Sequence, residues 1–241
     1  MLQFQAENLL QTAQAVYLDQ FRHRFDLFRM AIRNRKHLFC NSIPDFNIAE
    51  LQQLSNLMHE AGSTIQIVVP AVFHKQNLKL FNRIHAPFLA NIRMSSSLDN
   101  SFDRQLLQML LLIVFLDKSE FRKVDLMSIP APQGLVEIRL VFTSGSVARL
   151  LFSDQLKESE SGIEVFQDGA SVIQLQNPSV TPESMQACEE NAFGHFIRHI
   201  QGNTAVTIGL QQIIQAKHIK QAIQSRLNLS GNFFDKKRYA V

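Results

Sequence analysis

The chain has 241 residues, and its 24 Lys and Arg against 21 Asp and Glu give a formal net charge of +3. With 46% hydrophobic and 19% charged residues it has the balance of a globular protein, which excludes a disordered chain. So small a basic excess does not favour nucleic-acid binding, because such proteins concentrate Lys and Arg on one face. The basic cluster between Arg22 and Lys36 is therefore interpreted as a solvated helix face.

The two cysteines, Cys40 and Cys188, are too few and too far apart for a disulfide framework or a zinc site. Cys40 lies in an apolar run and is predicted to be a buried strand residue, which fits a reducing compartment. The N-terminal segment lacks the charged start and apolar core of a signal peptide. The longest apolar stretch, Leu106–Leu116, is too short to span a bilayer, so we expect a cytoplasmic protein.

Up to about residue 70, short apolar runs alternate with amphipathic segments, which predicts a parallel sheet with crossover helices. The clearest helix covers 47–62, where Leu51 and Leu54 lie on one apolar stripe and Gly62 marks the end. In chain order the predicted elements are a strand at 15–18, a helix at 25–34, a strand at 36–40, a helix at 47–62 and a strand at 64–70.

After residue 70 the pattern becomes several consecutive strands with helices before and after them, which predicts an open, mostly antiparallel sheet backed by helices. Two hairpins are expected, across Ser144-Gly145 and across Asp168-Gly169. The predicted helices are 74–84, 102–116, 182–201 and 208–227, and the predicted strands are 88–95, 122–129, 135–143, 146–153, 162–167 and 170–176. We therefore expect two domains, 1–70 and 71–241, with the last helix able to pack back on the first domain.

This order of elements resembles the glucose–fructose oxidoreductase/inositol dehydrogenase family over nearly the whole chain. Residues 31–40 are similar to the family's segment leading into a Glu-Lys-Pro motif, and the helix and strand that follow occur as they do in the family. The closing helices carry Phe196, Ile200 and Gly202 where the family has the same residues. The resemblance implies a Rossmann-type α/β domain joined to an α+β domain, and NAD(P)-dependent oxidation of a sugar or cyclitol.

From the resemblance we expect this chain to lack the nucleotide-binding start of that family. Family members begin with a βαβ unit whose Gly-x-Gly-x-x-Gly turn lets the backbone approach a pyrophosphate. All 9 glycines here lie at or after Gly62, and none forms that pattern. We therefore expect a remnant of the Rossmann-type sheet that lacks the dinucleotide-binding start, with no cofactor, or with NAD or NADP only if the chain is an enzyme.

The positions that carry the family's proton chemistry have also changed. The Glu-Lys-Pro segment, whose Lys lies near the nicotinamide, is replaced by Asn41-Ser42-Ile43-Pro44. On the later helix Asp103 matches the family's first Asp, but the acid/base His falls on Leu107 and the second Asp on Leu110. Because Leu cannot transfer a proton, no catalytic residue is predicted.

Two other residue groups are candidate sites. His195 and His199 lie one helical turn apart, but no third metal ligand is evident, so no metal site is predicted. His74, Arg93 and Asp103 are predicted to line what remains of the family's substrate pocket.

Three functions stay open. The first is a non-catalytic homologue, a pseudoenzyme, that forms a homodimer or docks on a full-length oxidoreductase relative. Alternating apolar residues in 135–143 and 147–151, and an unpaired sheet edge near 15–18, favour it. The second is an NAD(P)-dependent oxidoreductase on a sugar or cyclitol that needs a missing N-terminal segment. The third is a small-ligand binding module that reuses the substrate cleft.

Overall fold

A computed structural model describes residues 13–19, 24–95, 102–129, 134–157, 160–167, 171–176, 182–203 and 207–229. The chain divides into two compact units, the first formed by 1–75 and 179–215 and the second by 76–178 and 216–241. This division differs from the single boundary predicted at residue 70, because the segment 179–215 returns to the first unit. The predicted Asp168-Gly169 turn lies outside the described residues.

The first unit is built on a parallel sheet of three strands in the order β1-β2-β3. Its elements are β1 Ala15–Leu18, α1 Phe25–Arg33, β2 His37–Cys40, α2 Ile48–Ala61, β3 Ile65–Ile67, α3 Pro70–Phe73 and, after the second unit, α6 Pro182–Ile200. The predicted alternation of strands and helices is confirmed.

Local signals define both ends of α2. The Asn47 side chain accepts a hydrogen bond from Glu50 N, and the Glu50 carboxylate accepts one from Asn47 N, so the two residues form a capping box. Gly62 ends the helix with φ of 66°, a left-handed conformation that glycine adopts without strain. Between the caps, Leu51, Leu54 and Met58 are buried.

The contacts of α6 explain why 179–215 belongs to the first unit. Phe196 is buried and lies against Phe39 of β2, with ring centroids 5.6 Å apart. Asn191 donates its side-chain amide to Phe73 O at 3.0 Å, and Cys188 Sγ lies 3.5 Å from Pro70 O. A helix with these apolar and polar contacts is fixed to β2 and α3.

Two predicted elements of this part of the chain differ from the structure. The strand predicted at 64–70 ends at Ile67, because Pro70 takes the first turn of α3. The helix predicted at 74–84 begins one residue later than predicted, because His74 has an extended backbone with ψ of 129°. It consists of α4, Lys75–Leu80, and a 3₁₀ turn at Phe81–Arg83.

The second unit is built on a six-stranded sheet in the order β5-β6-β7-β4-β8-β9. Its elements are β4 Leu89–Ser95, α5 Phe102–Leu116, β5 Phe121–Ile129, β6 Leu135–Phe142, β7 Val147–Ser153, β8 Gly162–Gln167 and β9 Ser171–Leu175. All neighbouring pairs are antiparallel except β4 and β7, which are parallel. The predicted open, mostly antiparallel sheet is confirmed.

Helix α5 covers one face of this sheet. It is apolar around almost its whole circumference, and eight of its residues are buried. Phe102 meets Phe152 of β7 with ring centroids 5.0 Å apart. The last helix, α7, covers Leu210–Leu229, and its residues from Ala216 onward belong to this unit.

Candidate functional site

The six-stranded sheet has one buried face and one exposed face. Along β4, β6 and β7 the burial alternates residue by residue, so Ile92, Ile138 and Leu150 point towards the covered side. The alternate residues form the surface that we call the open face. Its members are Leu89, Asn91, Arg93, Lys123, Asp125, Met127, Leu135, Glu137, Arg139, Val141, Val147, Arg149, Leu151, Glu164, Phe166, Val172 and Gln174.

Apolar side chains form an unbroken row across five strands of the open face. The strand register places Val141 opposite Val147, Val147 beside Leu89, Leu89 opposite Phe166 and Phe166 opposite Val172. Leu89 is 45% exposed, Phe166 37% and Val172 51%. We call these five residues the apolar row. Leu89, Val147, Phe166 and Val172 are among the residues that line a shallow depression of about 940 Å³.

A row of polar residues runs beside the apolar row. In register order it consists of Asp125, Arg139, Arg149, Asn91, Glu164 and Gln174. Arg149 binds Glu137 through two hydrogen bonds of 2.6 and 3.1 Å, and Arg93 lies 3.2 Å from Glu164. These ion pairs fix the long side chains on the open face.

Asp125 and Arg139 complete this row at the β5 side. Lys123 hydrogen-bonds Asp125 with a distance of 2.9 Å, and this contact lowers the pKa of the Asp125 carboxyl group. Arg139 is exposed and lies opposite Asp125 in the register, and within the described residues its guanidinium has no ion pair. The open face therefore presents both charge signs, with one cation available to a partner.

The structure places Arg93 and Asp103, two of the predicted pocket residues, on opposite faces of the six-stranded sheet. Arg93 lies on the open face, where it pairs with Glu164. Asp103 is on α5, which packs on the covered face, and it pairs with Lys220 of α7 at 3.2 Å. One small ligand cannot contact both residues, because the sheet lies between them. His74 belongs to the first unit, and its Nδ1 is buried with no hydrogen-bond partner among the described residues.

The residues that the sequence resemblance predicts for the family's catalytic positions carry no acidic or basic group. Asn41-Ser42-Ile43-Pro44 follows the end of β2, and none of these side chains titrates near neutral pH. Leu110 is fully buried in the core under the six-stranded sheet.

The described residues do not fit the pyrophosphate of a dinucleotide. Such a site needs free backbone N–H groups at a helix N-terminus and no negative charge there. In the first unit, α2 begins with Glu50 in the capping box, and α1 has Asp26 in its first turn. Each carboxylate would repel a phosphate, so neither of these two helix starts fits the pyrophosphate of NAD or NADP.

Histidine and cysteine pairs likewise give no metal site in the described part of the chain, where no group of three His, Cys, Asp or Glu side chains could hold an ion. His195 is half-buried and contacts Phe73, and burial lowers its pKa. Cys40 is buried in β2, as predicted, and burial raises the pKa of its thiol. Among the same residues no helix is long and apolar enough to cross a bilayer.

A smaller exposed aromatic surface lies in the first unit. Tyr17 of β1 is 49% exposed and Phe193 of α6 is 46% exposed, and both rings contact Phe39 between them. The Tyr17 hydroxyl donates to Glu189 Oε1 at 2.7 Å. Burial and this hydrogen bond raise the pKa of Tyr17 to about 12, so the hydroxyl remains a donor. We call Tyr17 and Phe193 the edge patch.

Sequence reasoning found only part of these surfaces. The alternation in 135–143 and 147–151 indicated one exposed apolar side of β6 and β7. It missed Leu89, Phe166 and Val172, which join the apolar row only through the register of β4, β8 and β9. Alternation within β8 and β9 was a usable signal, but the position of β4 between β7 and β8 was not visible in the sequence.

Comparison with known proteins identifies the fold of this chain. No family model and no curated protein matches the chain. Among solved structures, a probable dehydrogenase from Thermotoga maritima superposes with a TM-score of 0.68 at 14% identity, covering 88% of this chain and 78% of that one. Apo scyllo-inositol dehydrogenase from Lactobacillus casei gives a TM-score of 0.66 at 12% identity, covering 91% and 79%.

A third structure, the UDP-N-acetylglucosamine 3-dehydrogenase of Acidithiobacillus ferrooxidans, gives a TM-score of 0.64 at 15% identity and covers 92% of this chain and 80% of that one. The chain thus has the fold of these three dehydrogenases. The resemblance predicted from the sequence is confirmed at the level of the fold.

Proposed function

We propose that this chain acts as a non-catalytic subunit of an oligomer in which the open face packs on the open face of a second copy. The observation that carries the proposal is the apolar row. It crosses five strands without a polar interruption and exposes Leu89, Phe166 and Val172 to solvent. Contiguous exposed apolar surface with a polar rim is typical of an interaction site.

The size of the open face suits such a contact. Six strands about 4.8 Å apart, each roughly seven residues long at about 3.3 Å per residue, cover on the order of 600 Å² before side-chain relief is counted. A standard protein interface buries about 800 Å² on each partner. Because side-chain relief makes the accessible area larger than the flat area, the open face approaches the size of a standard interface.

The charges of the open face favour a second copy as the partner. A two-fold contact needs a patch that is complementary to itself. The open face carries Lys123, Arg139, Arg149 and Arg93 together with Asp125, Glu137 and Glu164. A two-fold rotation can therefore bring an acidic residue of one copy to Arg139 of the other.

The absence of proton-transfer groups at the family's catalytic positions supports the non-catalytic part of the proposal. Ser42 stands in the segment of the family's Lys, and Leu107 at the position of its His. Neither side chain can act as a general acid or base near pH 7.

The test is the mass of the protein in solution. Phe166→Lys adds a charge in the middle of the apolar row, so we expect the dissociation constant of the open-face contact to rise at least about tenfold. Sedimentation velocity over a concentration series measures it. The matched control is Gln53→Lys, which adds the same charge at an exposed position of α2 and should leave the mass unchanged.

An unchanged mass for Phe166→Lys would contradict the proposal, and so would wild-type protein that is monomeric at all concentrations. Circular dichroism of both variants confirms that the comparison is made between folded proteins.

The alternative function is an NAD(P)-dependent dehydrogenase. The fold favours it, because the three neighbours described above are named as dehydrogenases. Titration with NADH and NADPH followed by fluorescence and calorimetry separates the two proposals. Saturable binding would place the enzyme first, and no binding up to millimolar concentration would favour the non-catalytic subunit.

A further inference from the structure

Every large exposed apolar side chain of the described residues lies on one of two surfaces. Leu89, Met127, Phe166 and Val172 are on the open face, and Tyr17 and Phe193 form the edge patch. The proposed open-face contact would cover the first four residues. It would not cover the edge patch, which lies beside the outer edge of the parallel sheet in the first unit.

The backbone of β1 has hydrogen-bonding groups directed away from the sheet. Gln14 O accepts from His37 N and Leu18 O accepts from Asn41 N, so the even-numbered residues of β1 face β2. Successive residues of a strand alternate in direction, and therefore the N–H and C=O groups of Ala15 and Tyr17 point outward. Within the described residues no strand pairs with this side.

The opposite edge of the same sheet is covered. Ile67 of β3 donates its N–H to Ile208 O at 3.0 Å, so the segment before α7 runs along that edge. An unpaired edge is a template for strand addition, and proteins usually cover it or blunt it with Pro, Lys, a bulge or a short strand. In β1 there is no Pro, no Lys and no bulge to do so. At four residues β1 is short, and the outward groups of Ala15 and Tyr17 are the part of it that can pair.

We infer that the outer edge of β1 pairs with the same edge of a second copy of this chain, antiparallel about a two-fold axis through Val16. In that register Ala15 lies opposite Tyr17 of the second copy, and Val16 lies opposite Val16. The two Ala15–Tyr17 pairs are the ones that exchange both backbone hydrogen bonds, because these residues carry the outward groups.

Side-chain sizes agree with this register. Residues opposite each other in an antiparallel pair point to the same face. Each Tyr17 ring stacks on Phe39 of its own copy, and the residue of the other copy that lies opposite it is Ala15, whose small side chain leaves room for the half-exposed ring. Phe193 lies on that same face through its contact with Phe39, so the edge patches of the two copies become one continuous aromatic cluster.

A proline at position 15 tests the pairing directly. Ala15→Pro removes an N–H that points outward and leaves the hydrogen bonds from β1 to β2 in place, a situation that edge strands tolerate. Ala15→Ser is the matched control, because it keeps both the N–H and the small side chain. We expect sedimentation to show at least about tenfold weaker association for Ala15→Pro and wild-type behaviour for Ala15→Ser.

The two variants test the two proposed interfaces separately. Wild-type protein should form an assembly larger than a dimer, Ala15→Pro and Phe166→Lys should each form dimers, and the double variant should be monomeric. An unchanged mass for Ala15→Pro overturns the edge pairing alone. An unchanged mass for Phe166→Lys overturns the proposed open-face contact alone.

Amide hydrogen exchange of the wild-type chain provides a second measurement if Ala15→Pro does not fold. We expect the Tyr17 amide to become protected as protein concentration rises, while the Leu18 amide is protected throughout. Fast exchange of the Tyr17 amide at every concentration overturns the inference. Protection that does not depend on concentration also overturns it, because a segment of the same chain would then occupy the edge.

Discussion

His37 is a residue whose protonation is linked to folding. Its Nδ1 accepts a hydrogen bond from Thr64 N at 3.2 Å and lies 2.9 Å from Thr64 Oγ1, so the folded protein holds the neutral ring. Burial, together with the nearby His199, lowers the pKa of His37 below its ordinary 6.5. The unfolded chain therefore binds this proton more readily than the folded protein does.

Stability should consequently be complete above about pH 6.5 and fall as the pH drops from there towards the pKa of folded His37. His195, whose pKa burial also lowers, contributes a loss in the same direction. His37→Asn keeps an acceptor for Thr64 N without a titrating group. Urea unfolding at pH 7.5 and pH 5.5 should show a smaller pH dependence in this variant, and an identical pH dependence would contradict the assignment.

Asp117 is a buried carboxylate held by serines. It accepts hydrogen bonds from Ser119 N at 2.8 Å and from Ser144 Oγ at 2.6 Å. Burial alone would raise the pKa of Asp117, but the hydrogen bonds from Ser119, Ser144 and Ser146 outweigh it and leave the pKa below its usual value. The carboxylate thereby ties the end of α5 to the turn between β6 and β7.

We expect Asp117→Ala to lower the free energy of unfolding by roughly 2–3 kcal/mol at pH 7, because buried donors lose a charged acceptor. Asp117→Asn should cost less, since its carbonyl oxygen can still accept from Ser119 N. The wild-type advantage over Asp117→Asn is present above about pH 4 and is lost as the pH falls through the pKa of folded Asp117. Chemical denaturation measures the free energy of unfolding of the three proteins. Equal values at pH 7 would show that the Asp117 hydrogen bonds do not stabilise the fold.

At the scale of single elements, local sequence decided most of the structure. Helix α5 was predicted with the observed bounds, Phe102–Leu116, because its apolar residues cover every side and no competing break occurs. The prediction of one helix over 74–84 was less accurate, since His74 is extended and the last turn is a 3₁₀ turn. Asn77 is fully buried there and exchanges two hydrogen bonds with the backbone of Gln176, a tertiary constraint that periodicity does not contain.

The capping box of α2 provides a test at this scale. Asn47→Ala removes the side-chain acceptor for Glu50 N, and we expect about 1 kcal/mol of lost stability. Asn47→Ser retains an acceptor and should stay close to wild type. Thermal unfolding compares the three proteins, and a stable Asn47→Ala variant would show that packing of Leu51 and Leu54 is sufficient for this helix.

At the scale of the whole molecule, we propose one contact with another copy for the open face and one for the β1 edge. The open face lies in the second unit and the β1 edge in the first, and each has its own variant and control. Neither proposed contact involves a bound substrate, so the assembly can be measured with the protein alone.

The sequence by itself determined the kinds of most elements, their order and the fold class. These follow from patterns with a period of two or about 3.6 residues and from residue types at given places. Tertiary structure alone decided the rest. The sequence could not show that β4 lies between β7 and β8, that 179–215 returns to the first unit, or that Arg93 and Asp103 lie on opposite sides of a sheet. These facts depend on contacts between residues far apart in the chain, and the local sequence pattern does not specify which distant residues pair.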